Sequence, residues 1–230
     1  MTSQLPSLPR YRIGSEAPAL DGDLIRLLAD CETTMLGHIL YWGAMDPEIR
    51  PNAGFVPRIA GRALTVQCPG PCSTILHHAI GLATPGDILV IDRLGDRRYA
   101  CLGDGVAAAA QAQGIVGAII DGPCTDSEQL AEMEFPVWCR GVSPVTTRLA
   151  NLGGGARLNI SCGGVSVEQG DAILADGDGI FSLPASEAQD IAAIAHRRGQ
   201  MVAQRRANRP EGVPLGTLTG ASELVLSDLG

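Results

Sequence analysis

Two aspartates frame the part of the chain that could do chemistry. Asp104 lies in Gly103-Asp104-Gly105. Asp126, 22 residues later, closes Asp121-Gly122-Pro123-Cys124-Thr125-Asp126. Between them run an alanine-rich segment, 106–113, and an apolar one, 115–120. That order predicts turn, helix, strand, turn. One carboxylate would then sit where a helix begins, the other just past the carboxyl end of a buried strand. Open α/β sheets bind ligands in clefts at such strand ends. Two carboxylates brought together there could hold a divalent cation through oxygen. The same spacing also fits Asp104 as a plain helix cap and Asp126 in a solvated turn.

The rest of the sequence must position this pair. A chain of 230 residues suffices for one sizeable core. Hydrophobic residues make up 45% and aromatic ones only 3%, so that core is aliphatic. Periodicity predicts a helix over 21–41, with Leu24, Leu27, Leu28, Cys31, Met35 and Leu36 near helical spacing. A strand over 59–68, a helix over 73–83 and a fully buried strand over 88–92 follow. Next come a helix over 104–113, a strand over 115–120, a helix over 126–132 and a strand over 136–140. Short strands are expected at 158–161, 165–167 and 172–176. A long helix over 186–206 would open on Ser186 as N-cap, with Gln189 completing a capping box. The alternation reads as an α/β fold in one compact domain: an arm over 1–20, the domain over 21–210 and a tail over 211–230.

Charge and cysteine usage narrow the function classes. The net charge of −8 argues against nucleic acid as a partner. Arg197, Arg198, Arg205, Arg206 and Arg209 cluster near the C-terminus and read as the solvated face of a helix. Seven cysteines, an odd number without a CxxC pair, read as reduced thiols of a cytoplasmic protein. His38, His77, His78 and His196 show no zinc-ligand spacing. No secretory leader and no apolar run near the length of a membrane span is present, so no membrane association is expected.

A set of short segments in a fixed order carries a resemblance. They are Ile49-Arg50-Pro51, Gly61-Arg62-Ala63-Leu64-Thr65-Val66, Leu76-His77-His78-Ala79-Ile80 and Pro85-Gly86-Asp87-Ile88-Leu89-Val90-Ile91-Asp92. Then come Leu102-Gly103-Asp104, Gly114-Ile115-Val116-Gly117-Ala118-Ile119-Ile120-Asp121-Gly122, Gly141-Val142-Ser143-Pro144 and the run from Gly170-Asp171 to Asp178-Gly179. Over roughly 25–200 the chain resembles the RraA-like family, which includes divalent-metal-dependent 4-hydroxy-4-methyl-2-oxoglutarate aldolases. The resemblance implies a swivelling β/β/α fold. It also implies a homotrimer, or a hexamer of two trimers, with sites between subunits. It implies Mg²⁺ or Mn²⁺ as cofactor and a small-molecule substrate. By position, Asp126 matches the metal-ligating aspartate, and Asp104 the acid that holds a metal-bound water. Gly105 and Val106 match the backbone amides that bind the substrate carboxylate.

One position departs from that pattern. Where the aldolases carry an arginine beside the metal aspartate, this chain has Thr125. Threonine has no charge and cannot clamp a carboxylate through two parallel bonds. Thr125 could instead hydrogen-bond a metal-bound water. Arg97, Arg98 and Arg140 are the candidates to replace the arginine, and Arg98 is the one assigned to substrate binding. They also read as ordinary surface arginines. Some aldolases of the family use a glutamate from a neighbour's C-terminal helix, and here only Glu187 stands between Ser186 and Pro210. His77 reads as structural, and Cys124 as a wall of the site rather than a nucleophile. The expected function is a metal-dependent lyase, aldolase- or decarboxylase-like. It would act on a small carbonyl or carboxylic-acid substrate through a metal-stabilised enolate, with weak or absent activity on pyruvate-derived aldols and oxaloacetate. The alternative is a non-catalytic regulator that binds a ribonuclease or another protein.

Overall fold

The structure is a computed structural model and describes residues 8–52 and 57–229. The first seven residues of the expected N-terminal arm lie outside the described residues. In chain order the elements are β1 (Tyr11–Ile13), α1 (Gly22–Ala29), α2 (Thr33–Gly37), β2 (Arg50–Pro51), β3 (Ile59–Gln67), α3 (Thr74–Ile80) and β4 (Asp87–Asp92). Next are α4 (Asp104–Ala112), β5 (Gly117–Ile120), α5 (Ser127–Glu132), β6 (Val137–Cys139), β7 (Gly154–Ala156), β8 (Ile160–Cys162) and β9 (Val165–Val167). The chain ends with β10 (Ala172–Ala175), β11 (Ile180–Leu183), α6 (Ala188–Ala207), α7 (Leu215–Thr219) and α8 (Ala221–Leu229). Contacts divide it into one unit over 1–196 and a small helical one over 197–230.

The centre of the larger unit is a parallel ladder, β3-β4-β5-β6, extended at its edges by β1, β7 and β2. β3 also pairs antiparallel with β10, which continues into β11. Side chains alternate across the ladder. On one face Leu64, Val66, Leu89, Ile91, Ala118 and Ile120 pack against α3, α4 and α5. On the other, Ala63, Ile88, Val90, Ile119 and Trp138 pack against the β8–β9 hairpin and β10. A helical layer, a central sheet and a second β layer result. The core is aliphatic as composition requires, apart from Phe135, Phe181 and Trp138, whose indole nitrogen donates to Asp176 O at 2.9 Å.

A buried ion pair joins β3 to β4. Arg62 Nε and Nη2 reach the two carboxylate oxygens of Asp87 at 2.8 and 3.1 Å, and Arg62 Nη1 reaches Ala17 O at 2.6 Å. Asp87 also accepts from the Thr84 amide. The pair raises the Arg62 pKa, through its hydrogen bond with Asp87 ahead of the opposing effect of burial.

Three expectations need correction. The helix expected over 21–41 is two short helices. The Asp176 carboxylate takes both the amide (2.9 Å) and the hydroxyl (2.6 Å) of Thr33, so the chain restarts there as α2. The C-terminal helix begins at Ala188, because the carbonyl of Pro184 accepts from the amides of Glu187 and Ala188. Ser186 therefore precedes the cap position. β7, formed by Gly154-Gly155-Ala156, was not expected. Its small residues carry no apolar alternation, yet β1 pairs with it along one edge and β3 along the other.

Candidate active site

β4 and β5 are parallel neighbours, so their carboxyl ends open on the same side of the sheet. The chain leaving β4 reaches Asp104 at the first turn of α4. The chain leaving β5 turns through 121–126 into α5. The two aspartates come together through the carboxylate of Asp126 and the backbone of Asp104. Asp126 Oδ2 accepts from the Asp104 amide at 3.2 Å. Asp126 Oδ1 faces the Thr125 hydroxyl at 3.2 Å. Asp104 folds its own Oδ1 onto the Gly105 amide at 2.5 Å. Thr125 is anchored through its backbone, its amide donating to Leu102 O at 3.0 Å.

Local backbone chemistry permits this approach. Asp126 has φ 56° and ψ 45°, the left-handed region that Asp and Asn tolerate better than most residues. Gly103 is extended, and its need for glycine is proximity. A Cβ there would lie 2.1 Å from Asp126 Oδ2 and 2.7 Å from Thr125 Cγ2. Any side chain at 103 would push the carboxylate out of place.

Asp104, Gly105, Val106, Thr125 and Asp126 line one cleft of about 270 Å³. His77 and Arg148 line it too. His77 is exposed on α3, on the cleft wall. Sequence reasoning missed Arg148. It sits in an irregular loop far along the chain, and only pairing brings it here. The Arg148 amide donates to Pro71 O at 2.8 Å, and its carbonyl accepts from the Ser73 amide at 3.1 Å. Thr147 and Val145 clamp Ala100 in the same way. The backbone is thus held on both sides, while the Arg148 guanidinium has no side-chain partner among the described residues.

The arginines named from sequence lie elsewhere. Arg98 is outside the cleft lining, and its guanidinium lies over the Tyr99 ring, 5.7 Å from the centroid. Arg140 is engaged by Asp46 at 2.7 Å, Glu48 at 3.1 Å and Asp121 at 2.5 Å. Arg97 approaches Asp121 at 4.0 Å. Cys124 is buried behind Thr125 with its thiol on Asn52 Oδ1, at 3.2 Å, and does not line the cleft as the expected wall.

Two exposed carboxylates and a hydroxyl make an all-oxygen donor set. Among the described residues no three His, Cys, Asp or Glu side chains gather as a metal cluster. An oxygen set this sparse suits a cation such as Mg²⁺, which keeps several waters and takes one or two carboxylates.

The layering and the strand-end cleft define an α/β protein of the swivelling β/β/α kind. The sequence pattern of the RraA-like (Aldolase/RraA) family matches residues 32–181, and the chain belongs to that family. It is 33% identical over 141 residues to a Halalkalibacterium halodurans protein provisionally named 4-hydroxy-4-methyl-2-oxoglutarate aldolase. That match covers 61% of this chain and 67% of the relative. A similar solved structure is Streptomyces coelicolor RraAS2, described as an unusual member of the RNase ES inhibitor RraA family. It has a TM-score of 0.73 at 28% identity, covering 83% of this chain and 98% of that one. An uncharacterised Pseudomonas syringae protein shares the fold, with a TM-score of 0.75 at 22% identity, over 94% of this chain and 100% of that one.

Proposed function

We propose that the chain is a divalent-metal-dependent lyase acting on a small carbonyl compound that bears a carboxylate. One observation carries the reading: both aspartates, Thr125 and an arginine whose guanidinium has no side-chain partner among the described residues share a single cleft at the ends of β4 and β5. Asp126 would hold Mg²⁺ or Mn²⁺ directly, and Asp104 through water. When bound, the metal supplies a Lewis acid toward the substrate's carbonyl oxygen. The amides of Gly105 and Val106, in the first turn of α4, favour an anion there. The Gly105 amide is released to substrate only if the Asp104 carboxylate swings off it. That movement would turn Asp104 toward the cleft, where it can hold or move a proton.

Arg148 changes the expectation about specificity. It offers the bidentate donor that Thr125 lacks, but from a different wall. The carboxylate it grips would therefore sit differently from one held beside the metal aspartate, which supports altered selectivity against pyruvate-derived aldols. Arg148→Ala is expected to weaken binding of oxalate, a small dicarboxylate probe, by about 10- to 100-fold, the size of a lost hydrogen bond to a charged group. Calorimetry in the presence of Mn²⁺ reads this. Arg98→Ala should bind as the wild type does, and the reverse pattern would sink the assignment.

The lyase reading is tested by titrating the protein with Mn²⁺, followed by paramagnetic resonance, and by steady-state assays on oxaloacetate and 4-hydroxy-4-methyl-2-oxoglutarate. Saturable Mn²⁺ binding with weak turnover on both supports it. Rapid turnover on either removes the claim of changed specificity. Absence of metal binding favours the second reading, a non-catalytic regulator of a protein partner, which the likeness to RraAS2 supports. Among the described residues no helix is long and apolar enough to cross a membrane. A cytoplasmic location and a trimer or dimer of trimers with sites at subunit interfaces complete the proposal.

A further inference from the structure

Behind the candidate site lies a pair of thiols the lyase reading does not use. Cys124 Sγ and Cys139 Sγ are 3.4 Å apart, a gap that side-chain torsion can close. Both are free, as are all seven cysteines. Their surroundings differ. Both are buried, Cys124 at 0% and Cys139 at 2% exposed, but Cys139, at the end of β6, borders a second cleft of about 510 Å³ and Cys124 does not. Arg50, Arg97 and Arg140 line that cleft as well. Arg140 is saturated by carboxylates, but Arg50 is exposed and Arg97 is half-exposed, with Asp121 4.0 Å away.

We infer that Cys139 and Cys124 form a peroxide-reactive thiol pair, with Cys139 attacked through the arginine-lined cleft and Cys124 closing the disulfide. The Cys139 thiolate attacks one oxygen of hydrogen peroxide. The O–O bond breaks, Cys139 becomes a sulfenic acid, and hydroxide leaves to be protonated to water. The Cys124 sulfur then attacks the sulfenic sulfur. An S–S bond forms, the S–O bond breaks, and a second water departs with the Cys124 proton. Peroxide is reduced by two electrons and the two thiols supply them. Arg50 and Arg97, on the wall of the cleft, favour the departing hydroxide. The Cys124 thiol and the amides of Gly141 and Cys124 pull Cys139 down to about 7 against its burial. The division of labour follows position: the cysteine that borders the cleft reacts, and the one behind it resolves. None of this depends on the metal site.

The test is a peptide map of the full chain after treatment with a small excess of hydrogen peroxide, under non-reducing conditions. Cleavage after Glu128, Glu132 and Glu134 separates the two cysteines. The disulfide then appears as a joined peptide, two hydrogens lighter than its parts and released by a thiol reductant. The Cys124–Cys139 peptide is expected to be the first oxidised species. Cys124→Ser should leave a sulfenic acid on Cys139 that dimedone traps. Oxidation of other cysteines while Cys139 stays reduced overturns the inference, as does a first disulfide between any other pair. If Cys124→Ser does not fold, the wild-type map by itself still separates these outcomes.

Discussion

Asp87→Ala is expected to destabilise the fold by about 3–5 kcal/mol, the cost of leaving a buried charge without its partner. The side chains of Arg62 and Asp87 are only 5% and 3% exposed. After the substitution, Arg62 would keep the carbonyl of Ala17 and a distant Glu16 carboxylate at 4.0 Å. Neither replaces two short charged hydrogen bonds. The Thr84 amide would lose its acceptor as well. The damage falls where β3 meets β4, the pair of strands from which the rest of the ladder extends. Urea denaturation measures it. A loss below about 1 kcal/mol, the range of an exposed ion pair, would show that the pair is better hydrated than its burial implies. A double change, Arg62→Leu with Asp87→Leu, should cost less than Asp87→Ala alone, because it removes the orphaned charge together with the pair.

How far the sequence reveals such features depends on what kind of signal each one leaves. The buried strand at Asp87–Asp92 is legible because its apolar run is continuous, and all six of its residues are buried. The helix at Asp104–Ala112 is legible from its alanines. Its place beside Asp126 follows from two parallel strands sharing one end. β7 is not legible, since Gly154-Gly155-Ala156 gives neither alternation nor β-branched side chains. The break between α1 and α2 hides for another reason: Asp176, which causes it, lies 143 residues from Thr33. Arg148 belongs to the same category. Nothing near it in sequence points at Asp104, and backbone pairing of its loop with Pro71, Ser73 and Ala100 brings it to the cleft. Carboxylates that follow adjacent strands are thus readable from order. A cation delivered by a distant loop is not, and for that reason Arg98, nearer in sequence, stood in for it.

Asp126→Asn is expected to weaken Mn²⁺ binding by more than about 100-fold, since even an outer-shell partner of a metal typically costs 10- to 100-fold. Asparagine is the sharper choice than alanine. At φ 56° the backbone is in the left-handed region, where Asn sits with little strain. The amide oxygen of Asn can still accept from the Asp104 amide, as Asp126 Oδ2 does at 3.2 Å. The turn, the start of α5 and the approach of Gly103 should therefore persist, and only the negative charge is lost. Asp104→Asn should weaken the metal less, because Asp104 is proposed to reach it through water. The two variants rank the carboxylates without reference to any substrate. Unchanged Mn²⁺ binding in Asp126→Asn, with thermal stability also unchanged, would place the metal elsewhere and return Asp126 to the role of a solvated turn residue. Equal losses in both variants would instead mean that Asp104 touches the metal directly, leaving the proton-handling role without a residue.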